Sequence, residues 1–174
     1  MGNNNIIIAH HLHAPAQIIR AANYGIPTLV LIRKPEDAVL STVIKIPYLS
    51  VDIALKDYIR FYSRILPYRQ SFVVGLFEEV INDFGKVIRR VNKYFNTDFS
   101  EFDHTPENVE KCFIKMNERG KVLYQNDYFK FALPSLKKDQ KKNKLRKLLY
   151  SKSNAALLEK ANSIFETYKK MIEV

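Results

Sequence analysis

Tryptophan is absent and cysteine occurs once, at Cys112, in a chain of 174 residues. A single thiol excludes an intrachain disulfide framework and any zinc site built on cysteines. Glycine is scarce too: Gly2, Gly25, Gly75, Gly85 and Gly120 are the full set. None of them serves a phosphate-cradling loop, because Gly85-Lys86 is followed by Val87 and Gly120-Lys121 by Val122, where Ser or Thr is needed. The G-x-G-x-x-G and G-x-S-x-G patterns are missing as well. No apolar run approaches the ~20 residues of a membrane helix, which predicts no membrane span. The opening MGNNNIIIAHH has neither the basic start nor the long apolar stretch of a signal peptide. Ile6 stands where a myristoylation signal requires Ser or Thr. The expectation is a cytoplasmic protein.

Positive charge is what the chain has in excess. Lys and Arg number 28 against 18 Asp and Glu, for a formal net charge of +10. Such a balance favours anionic partners: nucleic acid, nucleotides, phosphate or sulfate groups, or an acidic membrane surface. Apolar residues make up 47%, the proportion of a globular chain rather than a disordered one. The length suits one domain and is enough to bury a core.

Hydrophobic patterning gives an alternating order of elements. The run Asn5 to Ala9 reads as a buried strand. Pro15 opens a helix with Ile18, Ile19 and Ala22 on its apolar face, and Gly25 suits its C-terminal cap. Thr28 to Ile32 is a second strand, apolar at every position, which predicts a parallel sheet covered by helices on both faces. Pro35, Glu36 and Asp37 begin a helix that runs to about Lys45, and Pro47 breaks it. Ser50 caps a longer helix that stops at Pro67. Phe72 to Val74 reads as a third strand, and Asn82 or Asp83 caps the helix after it. Further helices open at Thr105-Pro106, Pro134-Ser135 and Ser153 or Asn154. The expected architecture is α/β: a parallel sheet with flanking helices over residues 5–104, then a helical C-terminal extension over 105–174, as one domain.

Four features are candidates for chemistry. Arg33 leaves the second strand at its carboxyl end, where open α/β sheets bind ligands, and Ser41 follows on the next helix. A guanidinium there can hold a phosphate in a bidentate pair beside the helix N-terminus; the alternative is a surface arginine and a helix filler. His10, His11 and His13 follow the first strand. His11 would lie at the same sheet edge and could act as a general base. It could equally be a loop histidine, and no carboxylate or thiolate nearby completes a metal set, so no metal site is expected. The run Lys137 to Lys147 holds seven Lys and Arg and one Asp. It reads as a solvated helix face in preference to a nucleic-acid surface, and it has no interleaved aromatics for single-strand stacking. Tyr58, Arg60, Phe61, Tyr62, Arg64, Tyr68 and Arg69 combine core aromatics with arginines of no distinctive spacing. Cys112 falls on the stripe Val109, Cys112, Phe113, Met116, which predicts a packed thiol.

The stretch AHHLHAPAQIIRAANYGIPTLVLIRKPEDAVLS, Ala9 to Ser41, resembles the central segment of the P-loop-type sulfotransferases, bacterial members included. The shared elements are a His-Leu pair, His11-Leu12, a buried strand, Thr28 to Ile32, then Arg33 with Ser41 eight residues later. The stretch SFVVGLFEEVINDFGKVIRRVNKYF, with Glu78-Glu79, is similar to the family's next strand and helix. FALPSLKKDQKK and the final helix look like the tail of bacterial members. The resemblance is good over 5–104 and loose beyond.

The resemblance implies an incomplete P-loop nucleoside-triphosphate-hydrolase-like sulfotransferase fold. The implied activity is transfer of a sulfuryl group from 3′-phosphoadenosine 5′-phosphosulfate (PAPS) to a hydroxyl or amine acceptor, a small molecule, glycan or lipid. Arg33 and Ser41 would hold the donor's 3′-phosphate, and His11 would take the acceptor's proton. Arg119-Gly120 is a weaker match to a further phosphate contact. The family's opening strand, phosphosulfate-binding loop and helix have no counterpart in this sequence. Losing one preorganised donor at a leaving oxygen costs about 10²–10³ in rate. The expectation is therefore either a piece of a longer enzyme or a remnant with little or no activity. A missing strand would also leave an exposed sheet edge open to a second copy of the chain. The rival readings are a non-catalytic nucleotide- or protein-binding domain of the same fold, and a basic nucleic-acid-binding protein.

Overall fold

The computed structural model describes residues 14–124 and 135–172. The expected strand Asn5 to Ala9 and the three histidines after it lie outside these residues. Helix α1 spans Pro15–Asn23, with the proline at its first position. Gly25 takes φ +63° just beyond it, a conformation that costs glycine nothing and lets the chain turn. Strand β1 is Leu29–Ile32 and β2 is Val73–Leu76. Between them lie α2, Pro35–Lys45, α3, Val51–Ile65, and a 3₁₀ turn, Leu66–Ser71. Pro67 does not end the helical path as expected. It sits in the first turn of the 3₁₀ segment, where a missing N–H breaks no bond.

β1 and β2 pair in parallel, Leu29 opposite Val73 through Ile32 opposite Leu76. Among the described residues the sheet has two strands, and the chain is a mostly helical α/β structure. One face of the sheet presents Val30, Ile32 and Val74 to a core completed by Leu40 and Val43 of α2, Leu55 and Ile59 of α3, and residues of the last helix. That helix, α8, is Ala155–Lys170. It contributes Leu158, Phe165 and the fully buried Tyr168, whose hydroxyl donates to the Tyr62 carbonyl at 2.8 Å. The Phe72 ring stacks on Tyr168, so a β2-flanking residue meets the end of the chain.

The other face is covered less evenly than an all-apolar strand predicts. Helix α5, Phe84–Phe95, packs on β2 there. A Cβ on Gly75 would lie 3.2 Å from a Val87 methyl, so the helix comes as close as glycine permits. Leu31 of β1 remains 46% exposed, because α5 lies over the neighbouring strand. Helix α4, Phe77–Asn82, follows β2 without a loop and was not read from the sequence. Asp83 caps α5 by accepting from the Lys86 amide at 2.9 Å, as its place before the apolar stripe predicts.

Helix α6 spans Pro106–Tyr124. Cys112 on it is exposed, which corrects the packed-thiol expectation. The stripe it belongs to finds no covering element among the described residues, and Phe113, Ile114 and Met116 are exposed beside it. Helix α7, Leu136–Leu149, starts after Ser135 at the predicted cap and packs along α2. No helix among the described residues is long and apolar enough to cross a membrane.

Candidate functional site

In a parallel pair, alternate residues turn their backbone groups to opposite edges. Leu31 and Arg33 therefore face away from β2, and Val74 and Leu76 face away from β1. All four carry side-chain partners. Tyr62 donates its hydroxyl to the Leu31 carbonyl at 2.8 Å, and Tyr58 donates to the Arg33 carbonyl at 2.9 Å. Arg90 donates to the Val74 carbonyl at 2.7 Å, and the Leu76 amide donates to Glu79 at 3.2 Å. Glu79 also accepts from Arg90 at 2.6 Å. Burial alone would raise the Glu79 carboxyl, but these hydrogen bonds and the Arg90 charge outweigh it and hold the group below its ordinary range. Burial pushes both tyrosines up, so each stays a phenol donor at working pH. The sheet edge expected to be open is thus capped at these positions by helices.

The carboxyl edge gathers charge. Arg33 leaves β1 and its Nη1 donates to Ser41 Oγ at 3.2 Å. The local reason is helical spacing: Asp37 and Ser41 are one turn apart on α2 and face the same way. Asp37 Oδ1 lies 3.9 Å from Arg33 Nη2. The Phe77 ring, first in α4, lies under the guanidinium at 4.3 Å, a geometry that fixes its plane. Arg33 Nε is buried and has no hydrogen-bond partner among the described residues, and the same holds for Glu78 Oε2. Glu78 stands close enough to Tyr58 for its charge to add to the rise of that phenol, behind burial, Tyr62 and Tyr168. The edge therefore combines a cation with remaining donor capacity, a hydroxyl, an aromatic floor and carboxylates at its rim.

The N-terminus of α2 is less free than its position suggests. Pro35 removes one amide donor. Glu36 accepts from Arg146 Nε at 2.6 Å and from the Tyr150 hydroxyl at 2.5 Å. The Tyr150 bond and then the Arg146 bond hold its carboxyl below the ordinary range. An anion at this edge would meet Arg33 and Ser41 first.

Of the residues singled out in the sequence, the structure brings Arg33 and Ser41 together. His11 lies outside the described residues, as do His10 and His13. Arg119 sits on α6, where it is exposed. Asp37, Phe77, Glu78 and Tyr58 were not read as part of this edge. Two had a signal: Asp37 is four residues after Arg33, and Phe77-Glu78 leave β2 at the edge where Arg33 leaves β1. Among the described residues no three His, Cys, Asp or Glu side chains gather as metal ligands would. No family model, curated protein or solved structure matches the chain.

Proposed function

We propose that the chain is a sulfotransferase-like domain whose Arg33–Ser41 edge binds the 3′-phosphate of an adenosine bisphosphate. The finer fold reading, an incomplete P-loop-type sulfotransferase α/β domain, belongs to the same proposal. The observation that carries it is the 3.2 Å approach of Arg33 Nη1 to Ser41 Oγ at the carboxyl end of a parallel strand. The donor set fits a phosphoryl group: Arg33 keeps an Nε–H that has no partner among the described residues, and a guanidinium forks onto phosphate in a bidentate pair. When bound, PAPS supplies an activated sulfuryl group. The acceptor's O–S bond forms as the donor's bridging S–O bond breaks. The acceptor proton goes to a base, for which the sequence resemblance nominates His11. The role of Arg33 and Ser41 is to anchor the nucleotide end that does not react.

Isothermal titration with 3′-phosphoadenosine 5′-phosphate tests this reading. Binding is expected, and Arg33→Ala should weaken it about 10- to 150-fold, the equivalent of one charge-assisted hydrogen bond at about 1.5–3 kcal/mol. No heat at millimolar nucleotide refutes the proposal. Transfer of labelled sulfuryl from PAPS to acceptor hydroxyls separates an enzyme from a binding module of the same fold.

A further inference from the structure

We propose that Glu78 makes the Arg33–Ser41 edge selective for a ribonucleotide, by accepting a hydrogen bond from the hydroxyl beside the bound phosphate. This rests on the nucleotide reading above, and adds to it the form of the sugar and the residue that senses it.

Two adjacent carboxylates follow β2 in α4, and the structure gives them different fates. Glu79 is committed to the fold: it accepts from the Leu76 amide at 3.2 Å and from Arg90 at 2.6 Å. Glu78 is not. Its Oε2 is buried, and no donor reaches it among the described residues. A carboxylate oxygen taken out of water without a donor is destabilising. Such atoms are few in native proteins, and a donor carried by a ligand would relieve the cost.

The nearby donors of the chain are already used or turned elsewhere. Tyr58 stands close enough for the Glu78 charge to act on its phenol, but its one proton goes to the Arg33 carbonyl at 2.9 Å. The Arg33 guanidinium lies 4.3 Å from the centre of the Phe77 ring, and Phe77 immediately precedes Glu78 in α4. Even so, Arg33 Nε and Glu78 Oε2 do not pair with each other. The edge therefore holds a buried donor without an acceptor and a buried acceptor without a donor, linked through Phe77.

A phosphoryl group answers half of this. Its oxygens accept from Arg33 Nε and supply nothing to a carboxylate. In a ribose 3′-phosphate the donor nearest the phosphate is the 2′-hydroxyl, on the adjacent carbon and the same face of the ring. Hydroxyl and phosphate side by side present a donor and an acceptor together, the complement of Glu78 and Arg33. Acidic side chains take a ribose hydroxyl in the same way in dinucleotide sites, and the 2′-hydroxyl is the group by which proteins tell ribose from deoxyribose. Asp37 is the other carboxylate at the edge. It is partly exposed and lies 3.9 Å from Arg33 Nη2, so solvent and the guanidinium already serve it. A 2′-deoxyribose would leave Glu78 without its donor while bringing a phosphate charge toward it.

Isothermal titration of the intact chain with 3′-phosphoadenosine 5′-phosphate and with its 2′-deoxy analogue tests the proposal. The deoxy nucleotide should bind about 10- to 150-fold more weakly, the worth of a hydrogen bond to an ionised group. Glu78→Gln keeps the shape with a neutral acceptor and should lower the preference to about 2- to 12-fold. Glu78→Ala should abolish it. Far-UV circular dichroism checks the fold of both variants, and the comparison on the unaltered chain stands without them. Equal binding of the two nucleotides by the unaltered chain overturns the proposal and leaves the anion site standing. A preference that survives Glu78→Ala, or one that vanishes in Asp37→Asn, overturns it too. No heat from either nucleotide refutes the anion site itself, and this inference with it.

Discussion

The carboxylate of Asp37 is the feature of the proposed anion site with the sharpest consequence. It lies 3.9 Å from Arg33 Nη2, with its side chain 36% exposed. A phosphoryl group in contact with the guanidinium would stand about 6 Å from it. At the dielectric of water each unit charge at that distance feels about 0.7 kcal/mol of repulsion. A phosphate of about −1.5 to −2 charge therefore feels about 1–1.4 kcal/mol. A Debye length of about 8 Å at 0.15 M roughly halves that. Asp37→Asn should tighten binding of 3′-phosphoadenosine 5′-phosphate about 5- to 10-fold at low salt and about 3-fold at 0.15 M. The variant should lose less than about 1 kcal/mol of stability, because the ion pair it breaks is partly exposed. Isothermal titration at two salt concentrations measures both effects. Looser binding would mean that Asp37 chiefly orients the arginine. A gain that does not shrink with salt would mean that the carboxylate does not face the anion. Either result refutes the reasoning.

Two further outcomes follow from the packing. Glu36 has its folded pKa held below 4.5 by Tyr150 and Arg146. The stability it contributes is present above pH 4.5 and lost as pH falls through the lower folded value. Glu36→Gln should flatten that part of the acid limb, read as urea midpoint against pH; an unchanged limb contradicts the assignment. Tyr168→Phe removes a buried donor to the Tyr62 carbonyl. It should cost about 1 kcal/mol by urea unfolding, since that carbonyl keeps the Leu66 amide. An unmoved midpoint would show that the hydroxyl contributes nothing.

The fold was legible where local chemistry decides it. Pro15, Pro35 and Pro106 open helices in the structure, and apolar runs become β1 and β2, because fixed φ and burial are properties of a few neighbouring residues. Pro67 and α4 were not legible. Both depend on how the chain enters and leaves β2, which is decided by tertiary packing. Ser50 occupies the predicted cap, yet its hydroxyl bonds Asp52 rather than a helix amide. At the candidate site the pairing of Arg33 with Ser41 was readable from a strand end and a spacing. The Phe77 floor and the caps from Tyr58 and Tyr62 were not, since they join residues 25 to 44 positions apart in sequence.

The two phenols of α3 act as a ruler. Four residues of helix advance about 6.0 Å, and two residues of strand advance about 6.6 Å. That near-equality lets successive hydroxyls meet successive outward carbonyls, so a helix stands where another strand would otherwise add. Phenyl rings at both places would fill the same space and leave the row of acceptors bare, a template for accretion of other chains. The commensurate pitch of two unlike backbones is thus what keeps these two outward carbonyls occupied.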